Sequence, residues 1–324
     1  MLDRLEMGFP NIPDHDVPRG GEENNLEVDR QGTIPRFTFQ PRPHWELMKG
    51  VYDPAEAGKI AGSNFILFRG WAARLQRTLI NWMLDYHTQR GIEEVWSPFL
   101  ANGDSMTATA QIPKMADDMY EIQRDGLYLI PTGEVPLTNI YRDRTLEESQ
   151  LPVMLCGYTP CFRREAGSYG KDTRGLNRVH QFEKVEMVRL EHPERSDHAQ
   201  GEMVDHVTGM LRELNIPYRV LLLATGDLSF AAARCFDIEI WSAGQEKWLE
   251  VSSISNFRDF QARRGSMKFR PASGGKPRYL HTLNGSGLAL PRLISSIVEN
   301  NQLEDGGIRL PAVIAERMGV EVIR

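Results

Sequence analysis

The sequence predicts an α+β domain in which an antiparallel β-sheet is flanked by helices. Three observations predict it. Strand-like stretches come in runs with no helical segment between them, 153–158 before 182–190 and 236–241 before 248–251. Three other segments repeat their apolar residues at helical spacing. Neither nucleotide loop of the doubly wound folds is present: there is no Gly-x-x-x-x-Gly-Lys-Ser/Thr, and no Gly-x-Gly-x-x-Gly follows a strand. If this chain uses ATP, side chains and a metal must hold the phosphates.

In chain order, residues 1–45 are rich in Pro, Gly, Asn and acids and read as an extended lead-in, leaving 46–324 as one catalytic-sized domain. Within the lead-in, Phe37-Thr38-Phe39 alternates and predicts a short strand before Pro41 and Pro43. Residues 72–90 predict a helix, since Leu75, Leu79, Met83 and Tyr86 share a face and Gly91 suits its C-terminal stop. A strand is expected over Ile92–Trp96 and others over 128–130, 153–158 and 182–190. Residues 199–214 carry Met203, Val207, Met210, Leu211 and Leu214 on one side of a second helix. Phe236–Trp241 and Trp248–Val251 both alternate and predict antiparallel strands joined through Ser242–Lys247. Leu288–Val298 predicts a third helix, with Leu293, Ile294, Ile297 and Val298 inward.

Composition narrows the function classes. At 41% hydrophobic and 25% charged, the 324 residues suit a soluble globular protein. No apolar run is long enough to cross a membrane, and Met1–Glu6 lacks the basic-then-apolar layout of a leader. Three cysteines, Cys156, Cys161 and Cys235, make no disulfide framework and no zinc pattern, and they read as reduced thiols of a cytoplasmic protein. The net charge of −6 argues against sequence-blind nucleic-acid binding. Phosphates would instead meet local basic loops: Arg163–Arg178 has five basic residues against two acids, and 258–278 has seven against Asp259 alone.

The most informative segment is Thr159-Pro-Cys-Phe-Arg163-Arg-Glu165, then a loop, then Arg178-Val-His-Gln-Phe182-Glu-Lys-Val-Glu186. On strands, 163 and 165 share a side, as do 182, 184 and 186. A hairpin could therefore present Arg163, Glu165, Phe182 and Glu186 on one sheet face. A guanidinium for phosphate, a carboxylate for an amine and a ring for a flat base suit a nucleotide. A solvated sheet face has the same pattern, so spacing alone leaves both readings open.

The wording of the hairpin, Phe-Arg-Arg-Glu-Ala-Gly-Ser-x-Gly-x-Asp-Thr-Arg-Gly-Leu-x-Arg-Val-His-Gln-Phe, resembles motif 2 of class II aminoacyl-tRNA synthetases, and of the bacterial-type seryl enzymes in particular. Four other family elements appear along the chain in the family's order. Helix 72–90 with Pro98 resembles motif 1, and Pro131-Thr-Gly-Glu-Val-Pro-Leu-Thr resembles the seryl substrate loop. Glu250-Val-Ser-Ser253-Ile-Ser-Asn-Phe resembles the metal-ligand strand, and Leu283-Asn-Gly-Ser286-Gly-Leu-Ala-Leu-Pro-Arg292 resembles motif 3. The resemblance spans nearly all of 8–324.

The resemblance implies the class II catalytic fold in a homodimer joined through the motif 1 helix. It implies activation of L-serine by ATP with Mg²⁺, and transfer to tRNA(Ser). Arg163, Glu250 and Arg292 are the implied catalytic residues. Arg163, Arg164, Glu165, Val179, Phe182, Glu250, Val251, Ser252, Ser253 and Arg292 are implied at ATP, with Arg163 on the α-phosphate, Phe182 on adenine and Glu165 at its amino group. Glu250 and Ser253 would hold Mg²⁺. Thr132, Gly133, Glu134, Arg163, Glu186, Asn284 and Ser286 are implied at serine. His180 and His281 are not needed, because a serine carboxylate is already a nucleophile at neutral pH.

Three departures from the family stand out. The chain begins at the linker into the catalytic domain, without the helical arm that grips the tRNA, so transfer is expected to be weaker than activation. Gly133 replaces the usual alanine, which would loosen the loop or enlarge the pocket. Ile254 and the Ser242-Ala-Gly-Gln turn differ from the usual Cys and Leu-Pro forms. Two other functions compete: an amino-acid ligase loading a carrier protein, and a non-catalytic paralogue acting by binding.

Overall fold

The computed structural model describes residues 7–166 and 174–324. Met1–Glu6, where a leader was sought, and Gly167–Thr173, the Gly-Ser-x-Gly-x-Asp-Thr stretch of the quoted hairpin, lie outside them.

Eight strands form the main sheet. They are β1 (Leu26–Gln31), β2 (Glu93–Glu94), β3 (Val153–Phe162), β4 (Gln181–Glu191), β5 (Tyr218–Leu222), β6 (Arg234–Ser242), β7 (Lys247–Asn256) and β8 (His281–Ala289). Their order is β1-β5-β6-β7-β8-β4-β3-β2. Every pairing is antiparallel except that of β2 with β3. This is the α+β, antiparallel architecture that the unbroken strand runs predict. The β3–β4 hairpin runs from Val153 opposite Leu190 to Phe162 opposite Gln181, and β6–β7 is the hairpin expected through 242–247.

Three long helices cover one face of the sheet: α1 (Gly70–Thr88), α2 (Ser196–Glu213) and α3 (Leu290–Asn300). Leu75, Leu79 and Met83 of α1 are wholly buried, as the helical spacing requires. They join Val207, Met210 and Leu211 of α2 and Leu293, Ile294 and Ile297 of α3 in one core with Val185, Met187 and Ile254 of the sheet. Alternation then decides what faces the other way. With Val185 and Met187 turned to the helices, Phe182, Lys184 and Glu186 are turned to the uncovered face. Further along that face, Val188 and Leu190 pack against Leu137 and Leu146 in a second cluster. No helix among the described residues is long and apolar enough to cross a membrane.

Two expectations are corrected. Phe37-Thr38-Phe39 forms no strand; the two rings tilt against each other with centroids 5.2 Å apart, a local contact that does not need a sheet partner. The strand of this segment is β1, fully exposed along its length at the sheet edge. The third helix starts at Leu290 rather than Leu288, because Leu288 and Ala289 still pair with Val185 and Lys184. Pro291 then sits in the first turn, where its missing N–H costs nothing.

Candidate active site

The uncovered sheet face holds a pocket of about 280 Å³ lined by Arg163, Glu165, Val179, Phe182, Glu250, Val251, Ser286 and Arg292, together with Lys184. Five separate chain segments converge here, Asp118 being the fifth. A cleft of about 600 Å³ adjoins it and shares Asn177, Arg178, Glu250 and Arg292 with it.

The hairpin does not present its groups quite as strand alternation suggests. Strand β3 ends at Phe162, so Arg163 and Glu165 stand beyond it. Arg163 is pinned instead by its backbone, whose N–H donates to the His180 carbonyl at 2.9 Å, and by Nε donating to the Pro131 carbonyl at 3.3 Å. Its guanidinium lies 5.3 Å from the centroid of the Phe182 ring. Glu165 has φ of 52°, and this left-handed turn carries its carboxylate to Arg178 at 2.5 Å. Arg164 is not brought into the pocket: its guanidinium lies 5.7 Å from the Tyr120 centroid.

Strand β7 supplies Glu250 and Ser253, which an ideal strand would put on opposite faces. A bulge prevents that. Glu250 pairs with Glu239 and Ser252 with Ile238, leaving Val251 without its own partner. Because Asp237 and Glu239 share a side, their partners Ser253 and Glu250 share it too. Ser253 Oγ lies 3.0 Å from Cys235 Sγ, and Ser252 Oγ is turned away, donating to the Ser286 carbonyl at 2.7 Å. Burial, and then the Glu250 charge, push Asp237 well above the usual carboxylate range. Arg292 Nη1 donates to the Glu250 carbonyl at 2.7 Å and lies 3.4 Å from its carboxylate, while Nε donates to the Asn177 carbonyl at 3.2 Å.

Beneath this pocket is a buried polar layer containing the remaining residues singled out in the sequence. Lys184 Nζ donates to Thr132 Oγ1 at 2.8 Å and forms an ion pair with Glu186. Thr132 Oγ1 donates to Glu186 Oε2 at 3.2 Å, and Asn284 Nδ2 donates to Glu186 Oε1 at 3.1 Å. Glu134 accepts from Gln261 Nε2 at 2.6 Å, and Gln261 in turn accepts from Thr282 Oγ1 at 2.7 Å. Burial, reinforced by the Glu186 charge, raises Glu134 to about 7, against the pull of Gln261, Lys184 and Arg163. Gly133 leaves no spare room: an added Cβ would lie 2.9 Å from Glu186 Cβ and 3.2 Å from Thr159 Oγ1. The missing methyl therefore does not enlarge the pocket, because Glu186 fills that space.

Lys184, Gln261 and Asn177 belong to the site and were not singled out by residue pattern. The 182–184–186 alternation held the signal for Lys184. Nothing local marks Gln261, which reaches Glu134 across 127 positions of chain. The basic run 258–278 proves to be largely neutralised internally: Arg258 meets Asp14 and Asp197, Arg263 meets Asp259, Arg270 meets Glu147, and Arg278 meets Glu194.

Residues 119–301 match the family model of the tRNA synthetase class II core domain (G, H, P, S and T). The chain is 51% identical over 322 residues to a serine–tRNA ligase of Thermomicrobium roseum, covering 98% of this chain and 72% of that protein. It is 47% identical over 317 residues to one of Leptospira biflexa, covering 97% and 76%. Among solved structures, seryl-tRNA synthetase from Pyrococcus horikoshii complexed with ATP superposes with a TM-score of 0.96 at 36% identity, over 99% of this chain and 77% of that one.

Proposed function

The chain belongs to the serine–tRNA ligases of class II, and from that premise we propose that its open sheet face joins L-serine to the α-phosphate of ATP and then passes the seryl group to tRNA(Ser). The observation that carries this reading is the convergence of Arg163, Glu165, Phe182, Glu250 and Arg292 on one pocket, directly above the buried Thr132–Lys184–Glu186–Asn284 layer.

Adenine stacks on Phe182, its amino group is read at Glu165, and Arg292 meets the far end of a bent ATP. Arg178 holds the Glu165 carboxylate in place for this contact. Arg163 faces the α-phosphate. One serine carboxylate oxygen forms a bond to the α-phosphorus while the bond from that phosphorus to the bridging oxygen breaks, and pyrophosphate leaves with the electron pair. No proton need be removed from the nucleophile, so the side chains contribute charge and position rather than base catalysis. Arg163 and Arg292 lower the cost of the charge that builds on the phosphates.

Serine selection falls to the buried layer. Glu134 and Glu186 supply carboxylates for the ammonium group, and Ser286 with Thr132 supplies hydroxyls for the side chain. A site that hydrogen-bonds a hydroxyl rejects alanine, which would leave those partners buried and unsatisfied. The residues on β7 also fit Mg²⁺. The bulge at Val251 turns a carboxylate and a hydroxyl, both hard oxygen donors, to one side, with Glu250 reaching the pocket. Among the described residues no cluster of three or more His, Cys, Asp or Glu could hold a metal by itself, so phosphate oxygens must complete the set. Bound there, Mg²⁺ would act as a Lewis acid on the phosphates.

The domain reading stays a proposal, with 46–324 as the catalytic unit and 1–45 as a lead-in that adds β1 to the edge of the same sheet. The test is amino-acid-dependent exchange of pyrophosphate into ATP by these 324 residues, followed by transfer to tRNA(Ser). Serine should support exchange and alanine should not, with transfer weaker than activation. No exchange with any amino acid would overturn the reading.

A further inference from the structure

Away from the reacting groups, a buried histidine–carboxylate hydrogen bond joins the N-terminal segment, the end of α3 and the limb of chain that returns to β4. His44 and Glu299 are both fully buried, and His44 Nδ1 lies 2.7 Å from Glu299 Oε1. The same oxygen accepts from the His44 backbone N–H at 2.9 Å and from Gln245 Nε2 at 3.1 Å. The other oxygen accepts from Ser242 Oγ and from the Gly244 N–H. A carboxylate surrounded by donors stays ionised: burial alone would raise Glu299, yet the hydrogen bonds from His44 and Ser242 hold it below the usual range.

The far side of the imidazole fixes the tautomer. The Leu176 N–H donates to His44 Nε2 at 2.9 Å, so Nε2 must be bare and the proton must sit on Nδ1, facing Glu299. An independent observation points the same way. Gly175 has φ of 70°, and a Cβ there would lie 2.2 Å from His44 Nε2 and 2.8 Å from a Trp45 ring carbon. The chain is drawn down onto the ring so closely that only glycine fits. The next three residues, Leu176, Asn177 and Arg178, all line the nucleotide pocket. Asn177 is held by donating to Gln245 at 2.7 Å, its carbonyl accepts from Arg292, and Arg178 holds Glu165.

We propose that His44, oriented by Glu299, is a positioning residue for ATP: it anchors Leu176–Arg178, and through them sets Arg292 and Glu165 at the nucleotide. The proposal rests on reading this pocket as the ATP site. The serine layer around Glu186 is held by Thr132, Lys184 and Asn284 instead, so serine binding should be insensitive to this network.

The experiment is pyrophosphate exchange by the full chain, with KM measured separately for ATP and serine. His44→Ala should raise KM for ATP by about tenfold or more, the effect of leaving the Leu176 N–H without its buried acceptor. KM for serine should change by less than about twofold, where a general loss of packing would move both. His44→Gln, whose amide can donate to Glu299 and accept from Leu176, should recover most of the ATP affinity. If His44→Ala does not fold, Gln245→Met, which removes the Asn177 contact from a partly exposed position, should show the same selective rise. In the unsubstituted protein, ¹⁵N spectra should show an Nδ1–H tautomer of His44. Equal rises in both KM values, or no rise for ATP in either variant, would overturn the proposal. No exchange in the unsubstituted protein would instead overturn the reading of the pocket.

Discussion

Glu134 shows what burial does to a single carboxylate. It titrates near 7 rather than 4.5, because burial and the neighbouring Glu186 both oppose its charge. The raised value means that the folded chain holds a proton there which the unfolded chain gives up. Its contribution to stability is full below about 4.5 and is lost as pH rises through about 7. Glu134→Gln should therefore flatten the fall in melting temperature between about pH 4.5 and about pH 7. Serine binding should run the other way, since an ammonium group needs the ionised form. KM for serine should fall as pH rises from about 6 to about 8 in the unsubstituted protein, and this slope should vanish in Glu134→Gln. Gly133→Ala tests the other contact of that layer. Its methyl must push Glu186 aside, at about 1–3 kcal/mol, so a lower melting temperature and a raised KM for serine are expected. In the sequence, Thr132, Gly133, Glu134 and Asn284 were legible only through the family resemblance, and Glu186 also through the 182–186 alternation. The hydrogen bonds that set the Glu134 proton were not, since Gln261 comes from another part of the chain.

Among the elements, β7 depends on a defect. Without the extra residue at Val251, a carboxylate and a hydroxyl three positions apart would face opposite sides of the sheet. Ser253→Ala should thus raise the Mg²⁺ concentration needed for half-maximal exchange several-fold, an effect separate from whatever melting changes as its contacts with Cys235 and Asp237 are lost. An unchanged Mg²⁺ requirement would remove Ser253 from the metal's ligands. Helix α1 depends on regularity instead, and Leu79→Ala on its buried stripe should cost about 2–5 kcal/mol in denaturant unfolding. That difference explains what could be read from the chain. Helices α1 and α2 and the β6–β7 hairpin follow from periodicity, which sequence displays directly. The bulge, the early end of β3 at Phe162 and the left-handed turn at Glu165 break periodicity, and they are fixed by partners across the sheet. The edge strand β1 was hidden for a third reason: with neither face covered, its six residues carry no inside-outside contrast beyond Leu26 and Val28.

At the scale of the whole molecule, the surface raises the question of a second copy. The outer side of α1 carries Arg77 and Asn81, which are too polar to drive association alone, and Asp85 is already paired with Arg317. Beside it, just past β2, Trp96 is 80% exposed, with its ring 5.9 Å from Phe99. An indole held in water forgoes most of the burial that makes tryptophan favourable, and such anchors concentrate at interfaces. In the homodimer that the resemblance implies through the motif 1 helix, Trp96 would supply an apolar anchor beside that helix. Light scattering during gel filtration at micromolar protein should give twice the chain mass, and Trp96→Glu should shift it to the single-chain value by burying an unpaired charge in the interface. Circular dichroism of the variant should remain that of a folded chain, because Trp96 makes no contribution to either core cluster of the main sheet. A single-chain mass for the unsubstituted protein would remove the dimer, and an undisturbed dimer in Trp96→Glu would move its anchor elsewhere on the surface.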